Sequence, residues 1–181
     1  MTSLEDAWRW YEKTRSQLRR MKRLAQHYWT ELPWEGRLER DDHFQLLQAG
    51  QVEEEAAFGL LHLDDLAIVV LFSVFESLVR HRILAEVIEE SKVIRHRTLK
   101  LAAEEARERV EEGSFFHVLQ PFKDHHADLV EEVNQVRRYR NRVAHGRRGQ
   151  ESERVDPQLA YGRLQRFLAA MAQSPAGSTP P

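Results

Sequence analysis

The sequence predicts an all-α protein. Three observations carry that reading. Apolar residues recur at helical spacing along most of the chain. Helix start and stop signals, such as Ser3, Asp156-Pro157, Gly113 and Gly146, punctuate it at helix-length intervals. No pair of alternating apolar segments suggests strands. With 181 residues, 41% hydrophobic and 31% charged, the chain suits one soluble domain, or one domain with a helical extension.

Ser3 is placed to cap a first helix running to about Thr30. Its aromatics Trp8, Tyr11, Tyr28 and Trp29 join Leu18 and Met21 in a stripe expected to be core or interface. Leu32-Pro33-Trp34-Glu35-Gly36 breaks it. Residues 42 to 61 are expected to be helical but interrupted near Gly50. Asp64 or Asp65 then caps a buried helix to about Glu90. Its middle, Leu66 to Val79 (LAIVVLFSVFESLV), is apolar nearly all round. Thr98 is expected to cap the next helix, which Gly113 ends. Ser114-Phe115-Phe116 opens a linker with Pro121 near its end. A helix then leads to Gly146. Asp156-Pro157 starts a last helix to about Ala172, and SPAGSTPP reads as a disordered tail.

The chain has no cysteine, which excludes disulfides, thiolate metal sites and a cysteine nucleophile. That is compatible with a reducing compartment, and a cytoplasmic protein is expected. No 18 uninterrupted apolar residues occur, so no transmembrane helix or membrane partner is expected. MTSLEDAWRW does not read as a signal peptide. There is no phosphate-binding glycine loop, no dinucleotide fingerprint and no HExxH pattern. The groups His117, His125, His126 and Asp41, Asp42, His43 lack a distinctive ligand spacing, so neither metal nor cofactor is expected.

The segment Arg137-Arg138-Tyr139-Arg140-Asn141-Arg142-Val143-Ala144-His145-Gly146 stands apart. Arg140 and His145 enclose four residues, with Asn141 directly after the arginine. Arginine stabilises phosphate and histidine moves protons near neutral pH, a pairing suited to RNA chemistry without metal. On a helix, Leu129, Val133, Val136 and Val143 form one stripe, and Arg140 falls in its middle. Arg137, Asn141 and His145 form a row on one flank. A guanidinium at a core-facing position needs a partner. Glu76 interrupts the most apolar run of the chain, so a Glu76–Arg140 ion pair is expected.

The chain carries a net charge of −2, yet Arg137 to Arg148 holds six arginines, one histidine and no acid. Arg137, Arg138, Arg142, Arg147 and Arg148 are therefore candidate RNA-backbone contacts. A second basic stretch, Arg15 to Arg23, reads as a solvated helix face. A purely structural reading of the motif is also open: Asn and His are ordinary at helix C-termini.

Arg140-Asn141-x-x-x-His145, after a helix with core-spaced valines and ending in His-Gly, resembles the HEPN superfamily (higher eukaryote and prokaryote nucleotide-binding domains). Phe75 to Ile83 (FESLVRHRI) also looks like an early core helix of that family. The resemblance covers roughly residues 60 to 171. It implies a HEPN-like helical bundle over residues 61–171, with residues 1–60 as an N-terminal helical extension and 172–181 as a tail. It further implies a metal-independent endoribonuclease whose site, Arg140, Asn141 and His145, is completed across a homodimer. Such activity serves toxin–antitoxin or antiviral systems, so an antitoxin protein is an expected partner. The products would be a 2′,3′-cyclic phosphate and a 5′-hydroxyl. The alternative is a non-catalytic HEPN-like module for dimerisation or for binding a partner or nucleotide. Helix geometry agrees with a shared site: Arg140 and His145 lie about 140° apart around one axis, so two chains could aim them at one phosphate more readily than one.

Overall fold

The computed structural model describes residues 1–36, 38–44, 47–146 and 154–173, and every regular element among them is helical. Six α-helices run in order: α1 (Leu4–His27), α2 (Ala49–Val93), α3 (Arg97–Glu112), α4 (Phe115–Leu119), α5 (Lys123–Ala144) and α6 (Pro157–Gln173). Short 3-10 turns occupy Trp29–Glu31, Leu38–Arg40 and Gln120–Phe122. The predicted tail from 174 onward, and Arg147 and Arg148, lie outside the described residues.

The chain divides into two compact units. One is Trp8–Ala67; the other is Met1–Ala7 together with the chain from Ile68 onward. The boundary expected near residue 60 falls inside α2, which contributes to both units.

Ser3 starts α1 as expected, its Oγ accepting the Asp6 N–H at 3.0 Å, and this first turn belongs to the larger unit while the rest of α1 belongs to the smaller. The helix ends at His27, short of Thr30. Tyr11 packs with Leu63 and Ala67 in a buried cluster flanked by Trp8, Trp10 and Leu18. The far end of the aromatic stripe stays outside that cluster: Met21 and Tyr28 are exposed. Trp29 instead packs at a tilt against Trp34, ring centres 4.7 Å apart, and the Trp34 indole N–H donates to the Trp29 carbonyl.

The central helix departs from expectation. Residues 49 to 93 form one helix of 45 residues that begins beside Gly50, with the described residues 42–44 and 47–48 outside it, and has no restart at Asp64 or Asp65. Its start is set by Gln51, whose side chain reaches back to accept the Gln48 N–H, one half of a capping box. Asp64 sits mid-helix as the acceptor for the Tyr11 hydroxyl at 2.8 Å, and Asp65 is buried. Gly59 gives a close approach: a Cβ there would lie 3.1 Å from the Leu18 Cδ1, so Leu18 would have to shift by a few tenths of an ångström. By length and composition α2 also holds an 18-residue window apolar enough to cross a membrane, although it contains no uninterrupted apolar run of that length. Of that window, 39% is buried within the protein; the core helix of a water-soluble protein passes the same test of length and composition.

The larger unit is built around the second half of α2. Ile68, Leu71, Phe72, Phe75 and Val79 are fully buried. Phe75 meets Phe167 of α6 and Phe115 of α4 edge-on, and Phe115 also meets Phe72. The segment expected as a linker is therefore a short helix, with Phe115, Val118 and Leu119 anchored in the core. The cap of α3 is His96, not Thr98; its Nδ1 accepts the Thr98 N–H. Gly113 ends that helix as predicted.

Asp156 starts α6 as expected, its Oδ1 accepting the N–H groups of Gln158 and Leu159. Asp156→Ala is expected to cost about 1 kcal/mol through loss of the cap. A urea-denaturation midpoint should report it, with Asp156→Asn close to the parent.

Candidate functional site

The site grows from the packing of α5 on the core. Val130, Val133, Val136 and Tyr139 are buried along α5, together with Asn134, while Leu129 and Val143 are only half-buried. The helix is distorted at His126, where φ is −141° and ψ is 45°. Arg140 projects from the buried stripe. Its guanidinium lies 5.0 Å from the centre of the Phe72 ring, and its Nη2 donates to Glu76 Oε2 at 2.8 Å. The two charges that each interrupt an apolar helix therefore meet, as their placement in sequence predicts.

Glu76 has a second cationic partner that the sequence reading did not identify. Arg80, one turn further along α2, donates to Glu76 Oε1 from Nε at 3.1 Å and from Nη2 at 2.7 Å. Arg80 also donates to the carbonyls of Val110 and Gly113 at the end of α3, and its guanidinium lies over Phe115. Those carbonyls are among the acceptors a helix end leaves without an intrahelical donor. The signal was present in sequence as a Glu76–Arg80 spacing of four, which puts both on one helix face. One carboxylate thus holds two guanidinium groups, each resting on a phenylalanine ring.

Asn141 joins this network. Its Oδ1 accepts from Arg140 Nη1 at 3.0 Å. A chain of hydrogen bonds runs from Asn141 through Arg140 and Glu76 to Arg80, and the His145 N–H donates to the Asn141 carbonyl at 2.9 Å. His145 is the C-terminal cap, with φ −92° and ψ 20°, and Gly146 follows at φ +68°, the left-handed conformation glycine tolerates. The His145 side chain is exposed.

An arginine side chain has five N–H donors. Arg140 commits one on each terminal nitrogen to Glu76 and Asn141, and its Nε is buried without a hydrogen bond to any described residue. One N–H on each terminal nitrogen is left for another acceptor, and the side chain keeps 26% exposure.

The remaining basic residues are distributed unequally. Arg137 donates from Nε to Asn134 Oδ1 at 3.1 Å and lies 5.2 Å from the Phe116 ring centre. Burial lowers its pKa, the neighbouring Arg138 and Arg140 charges lower it further, and Glu76 opposes them. Arg138 is exposed and ion-paired with Glu131. Arg142 is half-buried. The arginine run is free of acid in sequence, yet the fold brings Glu76 to Arg140 and Glu131 to Arg138. Among the described residues no group of three or more His, Asp or Glu side chains is placed to share a metal ion.

No family model, no curated protein and no solved structure matches this chain.

Proposed function

We propose that this protein is a metal-independent endoribonuclease of HEPN type, acting as the toxin of a toxin–antitoxin or antiviral system in the cytoplasm. The observation that carries the reading is the arrangement of Arg140. Its guanidinium is oriented by Glu76 and Asn141 and keeps N–H groups for a phosphate, five residues before an exposed histidine. Arg137 supports it, because a cation crowded by Arg138 and Arg140 gains from a bound anion.

In this mechanism the ribose 2′-hydroxyl is the nucleophile. His145 takes its proton, or donates one to the 5′-oxygen leaving group. Arg140 stabilises the charge that builds on the phosphorane oxygens through donors fixed in advance. The 2′-oxygen–phosphorus bond forms as the phosphorus–5′-oxygen bond breaks, leaving a 2′,3′-cyclic phosphate and a 5′-hydroxyl. Two copies of the chain share the cleft, and Arg137, Arg138, Arg142, Arg147 and Arg148 contact the RNA backbone. An antitoxin protein would cover the same cleft.

A specific observation favours the second reading, a non-catalytic module for dimerisation or for partner or nucleotide binding. The Asn141–Arg140–Glu76–Arg80 chain ends on backbone carbonyls of α3, so the motif arginine also ties α5 to α2 and α3. The two readings part in one assay. Purified protein with mixed cellular RNA and excess EDTA should give fragments with cyclic phosphate ends. Intact tRNA and mRNA after long incubation would favour the module.

A further inference from the structure

α4 is amphipathic in a way the core does not require. Phe115, Val118 and Leu119 point inward, whereas Phe116, its neighbour in sequence, is 38% exposed. Phe115 alone completes the aromatic cluster with Phe72 and Phe75. Phe116 instead faces Arg137, whose guanidinium lies 5.2 Å from its centre, and the His117 ring stands edge-on at 5.6 Å.

This group is set in place. Asn134 is buried, and it holds Arg137 by the Nε hydrogen bond, so the guanidinium plane does not swing freely. Arg137 precedes Arg140 by three residues on α5, a rise of about 4.5 Å along the helix. On the other side, His117 and Val118 line a cavity of about 480 Å³ with Arg109, Val110 and Gly113. An aromatic face, a fixed planar cation and a recess edged by Arg109 and His117 thus meet at α4, with Arg137 one helical turn before Arg140.

Nucleobases stack on exposed aromatic rings and on guanidinium planes, while basic groups attract the backbone that carries them. Duplex RNA hides its base faces; an unpaired strand offers them. We infer that Phe116, Arg137 and His117 form a base-stacking subsite for single-stranded RNA, with the cavity beside His117 receiving the adjacent nucleotide. The inference deepens the ribonuclease reading and rests on it. It names unpaired RNA as the substrate class and α4 as the element that orients it.

The test uses the full chain and a fluorescein-labelled single-stranded RNA oligonucleotide of mixed sequence. Binding is followed by anisotropy at one fixed salt concentration, in a His145→Ala background that prevents cleavage. Phe116→Ala should weaken binding about tenfold, the scale of losing one stacked base, and Phe116→Tyr should stay within about twofold of the parent. A hairpin-free duplex of equal length should show little dependence on Phe116. Thermal melting of each variant checks that a loss of binding is not a loss of fold. Phe116→Ala binding within about twofold of a parent that itself binds the oligonucleotide overturns the subsite. Cleavage in EDTA by the wild type, with binding insensitive to Phe116, leaves the ribonuclease standing without this subsite. Phe116-dependent binding with no cleavage keeps the subsite and removes the ribonuclease. No RNA binding by the wild type overturns both.

Discussion

Replacing Glu76 with alanine is expected to lower the free energy of unfolding by about 3 kcal/mol, because it leaves partly buried positive charge without its counter-ion. The carboxylate accepts from three guanidinium nitrogens, two on Arg80 and one on Arg140. The three side chains keep between 18% and 26% exposure, so water solvates them only in part. Neither cation can leave easily. Arg80 is tied to the end of α3 through Val110 and Gly113, and Arg140 is tied to Asn141. Removal of Glu76 therefore sets two held cations against each other over a floor of phenylalanine rings.

Urea midpoints measure the cost, and two companions identify its cause. Glu76→Gln keeps an acceptor oxygen and should lose less than alanine. Glu76→Ala combined with Arg140→Met should recover part of the loss, since it removes one of the stranded charges. A midpoint for Glu76→Ala matching the parent would show that the pair is effectively solvated. It would also remove the orienting role assigned to this carboxylate.

That ion pair illustrates what could be read from sequence. Charges at apolar positions are conspicuous because they violate a period, and two violations point to each other. Local punctuation was equally legible: Ser3, Gly113, Gly146 and Asp156 act where their side chain or backbone chemistry requires. The misread aspartates have a different cause. Asp64 resembles a cap until its partner is known, and that partner, the Tyr11 hydroxyl, lies 53 residues away. Gly50 lies in the first turn of α2, and the described residues 42–44 and 47–48 before it are not helical, so the expected interruption becomes the start of the helix. Phe115 and Phe116 looked like one linker because adjacent residues share no face. The fold sends one to the core and the other outward. Asn141 pairs with the neighbouring Arg140 guanidinium, a contact that helical spacing does not flag, while the exposed His145 caps the helix four residues on.

The largest effect on activity is expected at that residue. Under the ribonuclease reading, His145→Ala should reduce RNA cleavage at least about 100-fold, the lower end of what a positioned acid or base contributes. Stability should change by less than about 0.5 kcal/mol, as for other exposed substitutions. The side chain is exposed, and Gly146, not His145, supplies the left-handed residue that ends the helix. A matching urea midpoint with lost cleavage would assign a chemical role. Equal loss of both would assign a structural one. Arg140→Lys refines the result, because it keeps the charge but loses the fork that meets Glu76, Asn141 and a phosphate together. It should cleave poorly and fold less stably than His145→Ala. Mixing the two inactive variants then tests the shared cleft. If each site takes Arg140 from one chain and His145 from the other, a mixed dimer contains one site with both groups intact, and activity returns. If both groups come from the same chain, every site in the mixture lacks one of them and the mixture stays inactive.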